Sequence, residues 1–146
     1  CEEWRLNVQS KPKLRTYIHF KESYNVEQYV QSFMNRGHRS YLAQLRCGIL
    51  PLEIKTGRWY GVSAENRLCK VCKNDSVETE IHFVFHCVKY QEQRILFYQK
   101  IQAMYPAFLQ VDDNDKLKIL MTNGIVNIFA KYIFDIVKIR QSTLFK

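Results

Sequence analysis

The sequence predicts a mainly α-helical, small domain with one short β-hairpin next to a cluster of cysteine and histidine residues. Apolar residues recur at helical spacing along most of the chain, which indicates amphipathic helices that bury one face. Gly and Pro are scarce, at five and three of 146 residues, so few breaks interrupt these segments. Three of the five cysteines and two of the four histidines lie between positions 69 and 87.

The first predicted helices lie between residues 26 and 47. Asn25 is a suitable N-cap for a helix over residues 26–34, whose apolar residues lie on one side. A second helix is expected over residues 38–47, and Gly48 is placed to end it. Residues 1–10 are expected to be an exposed lead-in.

The hairpin is expected over residues 52–62, as two short extended pieces around a Thr56-Gly57 turn. The first piece alternates apolar and polar side chains, as half-buried strands do. Asp75-Ser-Val-Glu78 has the form of a capping box for a helix that starts near residue 76.

Three further helices are predicted in the second half of the chain. One runs after the cysteine cluster until Pro106, and another begins around Asp112–Asp115 and ends at Asn123-Gly124. An amphipathic helix that begins near Val126 closes the chain.

Size and charge narrow the function classes. The chain has the length of one domain, with a basic and aromatic lead-in and first helix over residues 1–35 and a helical knuckle domain over 36–146. Its net charge of +8 is compatible with nucleic-acid binding.

No apolar run approaches the roughly 20 residues that span a bilayer. A Gly-rich phosphate loop and a nucleophile elbow are missing, so we expect neither an enzyme nor a small-molecule substrate. Because it begins with Cys1 rather than Met, we expect a fragment of a longer polypeptide.

The spacing C-x2-C-x9-H-x4-C predicts a metal site with Cys69, Cys72, His82 and Cys87 as ligands. His86 is the alternative fourth ligand, because residues four apart share a helix face with His82. A five-residue step rotates about 140° on an α-helix, so Cys87 must bind from a distorted or terminated helix end.

Three thiolates and one imidazole fill a tetrahedron around Zn²⁺, and they leave no position for water or substrate. The predicted zinc site is therefore structural. The other interpretation is a redox C-x-x-C pair, but no thioredoxin-like βαβ pattern surrounds it. Zinc thiolates need unoxidised cysteines, which favours an intracellular protein.

Three features occur together in one order: Arg46-Cys47-Gly48, Gly57-Arg58-Trp59 and the Cys-Cys-His-Cys (CCHC) cluster. In this order, residues 36–95 resemble the C-terminal zinc-knuckle region of reverse transcriptases from non-LTR (LINE-type) retrotransposons. The resemblance implies a non-catalytic, nuclear tail that follows a polymerase domain of the same polyprotein and contacts template RNA or target DNA. By this resemblance too, the zinc ligands are Cys69, Cys72, His82 and Cys87.

Five residues are candidates for nucleic-acid contacts: Arg58, Trp59, Arg67, Lys70 and Lys73. Basic side chains neutralise phosphates, and an exposed aromatic ring stacks on an unpaired base. Trp59 has a second interpretation as a core or hairpin cover residue. The competing class of function is a structural or protein-interaction module that zinc merely holds together.

Overall fold

The computed structural model describes residues 2–21, 24–122 and 124–145. Its α-helices are α1 (Glu2–Gln9), α2 (Tyr17–Phe20), α3 (Gln28–Gln31), α4 (Arg36–Arg46), α5 (Glu53–Thr56), α6 (Gln91–Met104), α7 (Asp113–Leu120) and α8 (Val126–Leu144). Single 3₁₀ turns cover Pro12–Leu14, Gly57–Tyr60, Ala64–Asn66, Val88–Tyr90 and Phe108–Gln110, and a π-helical turn covers His82–His86. The mainly helical prediction is confirmed.

The second predicted helix is α4. Asn35 is its N-cap, and the Asn35 side chain accepts a hydrogen bond of 2.8 Å from the Gly37 N–H. The helix ends at Arg46, and Gly48 follows with a left-handed φ of 64°, which glycine adopts without strain.

The helices expected after the cysteine cluster are α6, α7 and α8. Asp112 caps α7 by accepting a 2.8 Å hydrogen bond from the Asp115 N–H, as the acidic residues at its start suggest. Helix α8 is 19 residues long and supplies much of the core. Cys1 and Asn123, which the sequence predictions used, lie outside the described residues.

The helix expected over residues 26–34 is a single turn, α3. Three apolar side chains of that stretch face solvent: Val26 and Val30 are 67% and 48% exposed, and Phe33 is fully exposed. A short helix gains most of its stability from packing its apolar face, so an unburied face sustains only one turn. The lead-in, in contrast, forms α1.

The predicted β-hairpin is wrong. Residues 52–62 fold as α5 and the Gly57–Tyr60 turn, and no strand occurs in the described part of the chain. The side chain of Glu78 accepts the Glu53 N–H at 2.6 Å, and the Glu78 carbonyl accepts the Ile54 N–H at 3.3 Å. These contacts satisfy free N–H groups at the start of α5. The alternation of apolar and polar residues along the segment gives no sign of a contact with Glu78.

The predicted capping box at residues 75–78 is also wrong. Residues Ser76 to Glu78 are extended and run antiparallel to Arg67–Cys69, with one isolated bridge between Leu68 and Val77. The helix starts at residue 80 instead, and the Thr79 hydroxyl accepts the His82 N–H at 3.1 Å. Glu78 does not cap this helix because its carboxylate is bound elsewhere.

The core lies between α4, α6 and α8. Phe97 of α6 stacks on Tyr132 of α8, with ring centroids 4.2 Å apart, and Phe134 of α8 contacts Tyr41 of α4 at 5.7 Å. Cys69 and Cys87 belong to the same buried cluster. Within the described residues, no helix combines the length and the apolar character that crossing a bilayer requires.

Arg46 joins the first 35 residues to this core. Its guanidinium is wholly buried among the rings of Tyr17, Phe20 and Tyr29, at 4.7–5.7 Å from their centroids, and lies 3.0 Å from the Glu27 carboxylate. The Glu27 carboxylate and the three aromatic faces offset part of the cost of burying this charge.

Candidate metal centre

Cys69, Cys72, His82 and Cys87 form one cluster, in which the ligand atoms all lie within 4.8 Å of one another. Cys69, His82 and Cys87 are buried and Cys72 is half-buried. The Nε2 atom of His82 lies 3.5 Å from the Cys72 sulfur, so the imidazole faces the thiols. The four residues that the sequence nominated thus meet in space.

A tight turn presents the first two thiols. The Lys73 N–H donates to the Cys69 carbonyl at 3.3 Å, which brings Cys69 and Cys72 to one side. Lys73 and Asp75 have left-handed φ values of 55° and 52°, which are uncommon for residues with a Cβ. Such conformations persist where surrounding contacts impose them, and they cluster at functional sites.

The π-helical turn presents the other two ligands. In a regular α-helix, residues five apart point in different directions, so His82 and Cys87 could not both face one metal ion. Here the Cys87 N–H donates to the His82 carbonyl at 2.8 Å, closing an i→i+5 turn. This wider turn carries both side chains to the same side, in a distortion of the kind that ligation by Cys87 requires.

Side chains from the later helices hold the π-helical turn in place. The guanidinium of Arg94 donates to the carbonyls of Val84 and Cys87, at 3.3 and 2.6 Å. The Tyr132 hydroxyl donates to the Val84 carbonyl at 2.6 Å. The irregular helix leaves these carbonyl groups without their usual backbone partners, and buried side chains of α6 and α8 donate hydrogen bonds to them instead.

His86, the alternative ligand, lies apart from the cluster. Its side chain is 55% exposed, and its Nε2 atom lies 2.7 Å from the Asp113 carboxylate of α7. The structure therefore gives His86 an acidic partner on the surface, while Cys87 lies with the other three ligands.

Glu78 lies directly behind the cluster. Its carboxylate accepts hydrogen bonds from Arg140 Nε and Nη2 at 2.8 and 2.9 Å, and from the Glu53 N–H at 2.6 Å. The Cys69 sulfur is 3.9 Å from Glu78 Oε1. Since both oxygens already have partners, Glu78 acts as a support for Cys69 and not as a fifth ligand.

Sequence reasoning missed this support. Arg140 continues the apolar stripe of α8 that includes Ile133 and Val137, and it is 5% exposed. A charged residue on an otherwise buried stripe is the signal, because buried charges need a partner. The identity of that partner, 62 positions earlier in the chain, has no local signal.

The thiols of Cys69 and Cys87 are close enough to change each other's ionisation. The hydrogen bond from the Cys87 thiol lowers the pKa of Cys69, against the effect of burial, and the same bond raises the pKa of Cys87. Crowded thiols cannot all ionise unless a positive charge joins them. A divalent metal supplies that charge.

The residues present fit such a metal. Thiolates on a tetrahedral zinc, with Zn–S of about 2.3 Å, lie roughly 3.8 Å apart. Ligand atoms that all lie within 4.8 Å of one another already approach this spacing. Three sulfurs and one nitrogen are the donor set of closed structural sites.

The residues predicted to contact nucleic acid differ in their exposure to solvent. Arg58, Trp59, Lys70 and Lys73 are exposed, so Trp59 does not cover the core. Arg67 is half-buried, and its guanidinium donates to the carbonyls of Val62 and Ile54, both at 2.9 Å.

Protein-family models, curated proteins and solved structures provide no match to this chain. Two features of the chain itself bear on its function. One is the set of four metal-ligand side chains drawn together from two turns. The other is the exposed basic and aromatic surface next to that set.

Proposed function

We propose that the chain is a zinc-binding, non-catalytic tail of a retrotransposon reverse transcriptase, where it contacts template RNA or target DNA. The observation that carries this proposal is the convergence of Cys69, Cys72, His82 and Cys87 within 4.8 Å. Their order and spacing are those of the zinc knuckle that the sequence resembles. The proposed setting is intracellular and nuclear, downstream of a polymerase domain of the same polyprotein.

Zinc has a structural role in this proposal. All four coordination positions are filled by protein ligands, so none remains for a reacting water or substrate. The ion links the Cys69–Lys73 turn to the π-helical turn, two segments that meet where Cys72 lies 3.5 Å from the His82 ring. It thereby fixes the orientation of the basic side chains that the first turn carries.

Lys70 and Lys73 are exposed basic residues on the turn that carries Cys69 and Cys72. The Lys70 side chain is 66% exposed, and its ammonium lies 3.2 Å from the Glu53 carboxylate. Because the Lys70 end of the pair is exposed to solvent, water screens its attraction to the half-buried Glu53, and a phosphate can compete for the ammonium. Arg58 and Trp59 extend the surface, and Arg67 positions the backbone beneath it.

Salt-dependent binding tests the proposal. Zinc-loaded protein is titrated into labelled single-stranded RNA and DNA at several salt concentrations. Binding at low salt that weakens as salt rises supports phosphate contacts, because each contact releases counterions. Absence of binding at low salt would refute nucleic-acid binding.

A matched pair of variants separates this surface from net charge. Lys70→Glu with Lys73→Glu should weaken binding and reduce the salt dependence, with zinc content unchanged. Lys100→Glu with Lys131→Glu makes the same change in net charge on exposed positions of α6 and α8. Equal loss in both double variants would mean that net charge alone drives binding.

The second candidate function is a protein-interaction module that zinc holds together. Exposed apolar side chains between residues 24 and 33 favour it, among them Tyr24 at 72% and the fully exposed Phe33. In that case zinc removal abolishes partner docking, and the salt titration shows no nucleic-acid binding.

A further inference from the structure

The Gly57–Tyr60 turn holds two large aromatic rings in solvent. Trp59 is 67% exposed and its neighbour Tyr60 is 80% exposed. The Val62 N–H closes the turn on the Gly57 carbonyl at 3.0 Å, and Gly61 ends it with a left-handed φ of 68°. Two adjacent rings are thus displayed on a closed loop and not on a loose one.

Arg67 braces this turn from beneath. Its side chain packs so closely on Gly57 that a Cβ there would lie 2.7 Å from Arg67 Cγ. Its guanidinium holds the carbonyls of Ile54 and Val62, one on each side of the turn. Preorganised aromatic rings lose little conformational freedom when a ligand binds them.

Each ring lines a groove of its own. Consecutive residues of a 3₁₀ turn are about 120° apart, so the two rings point in different directions. Trp59 lines a groove of about 470 Å³ with Ile49, Lys55 and Arg58, and the Lys55 ammonium lies 5.3 Å from the Trp59 ring centroid.

The second groove adjoins the metal centre. Tyr60 lines it together with Lys70 and Lys73, and its volume is about 500 Å³. Cations predominate in both grooves. Four line the Trp59 groove (Arg15, Lys55, Arg58 and Arg67), of which Arg15 is paired with Glu80 at 2.6 Å, and Glu53 is the acidic residue of the Tyr60 groove.

We propose that Trp59 and Tyr60 each stack on one unpaired base of a single strand that crosses this turn. Lys55 and Arg58 then bind its phosphates on one side, and Lys70 and Lys73 bind them on the other. The charge favours a polyanion, and the exposed rings favour a ligand with free π-faces. Bases in a duplex are stacked on each other, so the site selects single strands.

This inference rests on the proposed nucleic-acid binding and names the form of nucleic acid. The test compares the binding of the zinc-loaded chain to four labelled oligonucleotides of equal length: oligothymidylate, oligouridylate, an abasic strand and a duplex. Oligothymidylate and oligouridylate should bind more tightly than the other two. Trp59→Ala and Tyr60→Ala should each weaken binding to the base-bearing single strands by about 5- to 100-fold.

Both variants should leave the affinity for the abasic strand and the salt dependence unchanged, because the phosphate contacts remain. Trp59→Phe and Tyr60→Phe should restore most of the binding, since each retains a ring. Phe33→Ala removes a fully exposed ring elsewhere and should change nothing. Zinc content and helical circular dichroism verify that each variant is folded.

A second readout needs no change in the turn. The chain has two tryptophans, so Trp4→Phe leaves Trp59 as the sole source of indole fluorescence. Oligothymidylate should quench this emission, and the abasic strand should not. Quenching that is equal for both strands, or equal affinity for both, overturns the stacking inference while nucleic-acid binding stands. Failure of every oligonucleotide to bind at low salt overturns both.

Discussion

Glu78 and Arg140 form a buried, bidentate ion pair next to the candidate metal centre, with N–O distances of 2.8 and 2.9 Å. Glu78 also accepts the Glu53 N–H and lies 3.9 Å from the Cys69 sulfur. One carboxylate therefore connects the last helix, the start of α5 and a predicted zinc ligand. Groups that support ligands in this way tune metal affinity.

Arg140→Met should lower the free energy of unfolding by about 3–5 kcal/mol, because it leaves the Glu78 carboxylate buried without its cation. Zinc affinity should fall by about 10- to 100-fold. Urea unfolding and competition with a chromophoric chelator measure the two effects. Adding Glu78→Gln should cost less than the sum of the single changes, since the charges are coupled.

Lys131 and Asp135 offer the matched control, as an exposed pair on the same helix with a distance of 2.6 Å. Lys131→Met should change stability by less than about 1 kcal/mol, because water screens exposed pairs. A loss as large as that of Arg140→Met would contradict the importance of burial.

The fourth ligand is tested by comparing Cys87→Ser with His86→Ala. Cys87→Ser should reduce zinc content and weaken the sulfur-to-metal charge-transfer absorption of the cobalt-substituted protein. His86→Ala should keep both, because the His86 ring pairs with Asp113 outside the cluster. Loss of metal in His86→Ala with retention in Cys87→Ser would reverse the assignment.

Lys73 should tolerate glycine better than valine. Its φ of 55° is strained for residues with a Cβ and most of all for β-branched ones. Lys73→Val should therefore be less stable than Lys73→Gly by about 1–2 kcal/mol. Both variants remove the same charge, so thermal unfolding reports the backbone alone. The same pair at Lys70, which lacks a positive φ, should not show this preference for glycine.

Zinc removal should lower the melting temperature but should leave most of the helix content at low temperature intact. The core between α4, α6 and α8 is built from apolar side chains, such as Phe97, Phe129 and Ile133, that do not ligate metal. A metal that binds only the folded state stabilises it in proportion to the logarithm of its concentration. Circular dichroism with and without chelator measures both quantities. Complete loss of helix on chelation would show that folding requires zinc.

The sequence by itself determined the four candidate metal ligands and the long helices. Spacing and residue type are local properties, and they nominated Cys69, Cys72, His82 and Cys87, which the structure brings together. Helices α6, α7 and α8 followed from periodicity and from caps such as Asp112, because burial of one face and satisfaction of end groups leave a local pattern.

Only the tertiary structure decided how the centre is supported and how the nearby surface is displayed. Residues 52–62 form helical turns because Glu78 meets the start of α5. Glu78 does so because Arg140 of α8 holds it in place, 62 positions away. The exposure of Trp59 follows from the same turn. Contacts between distant residues depend on how helices pack, and no local pattern encodes the partner of a buried charge.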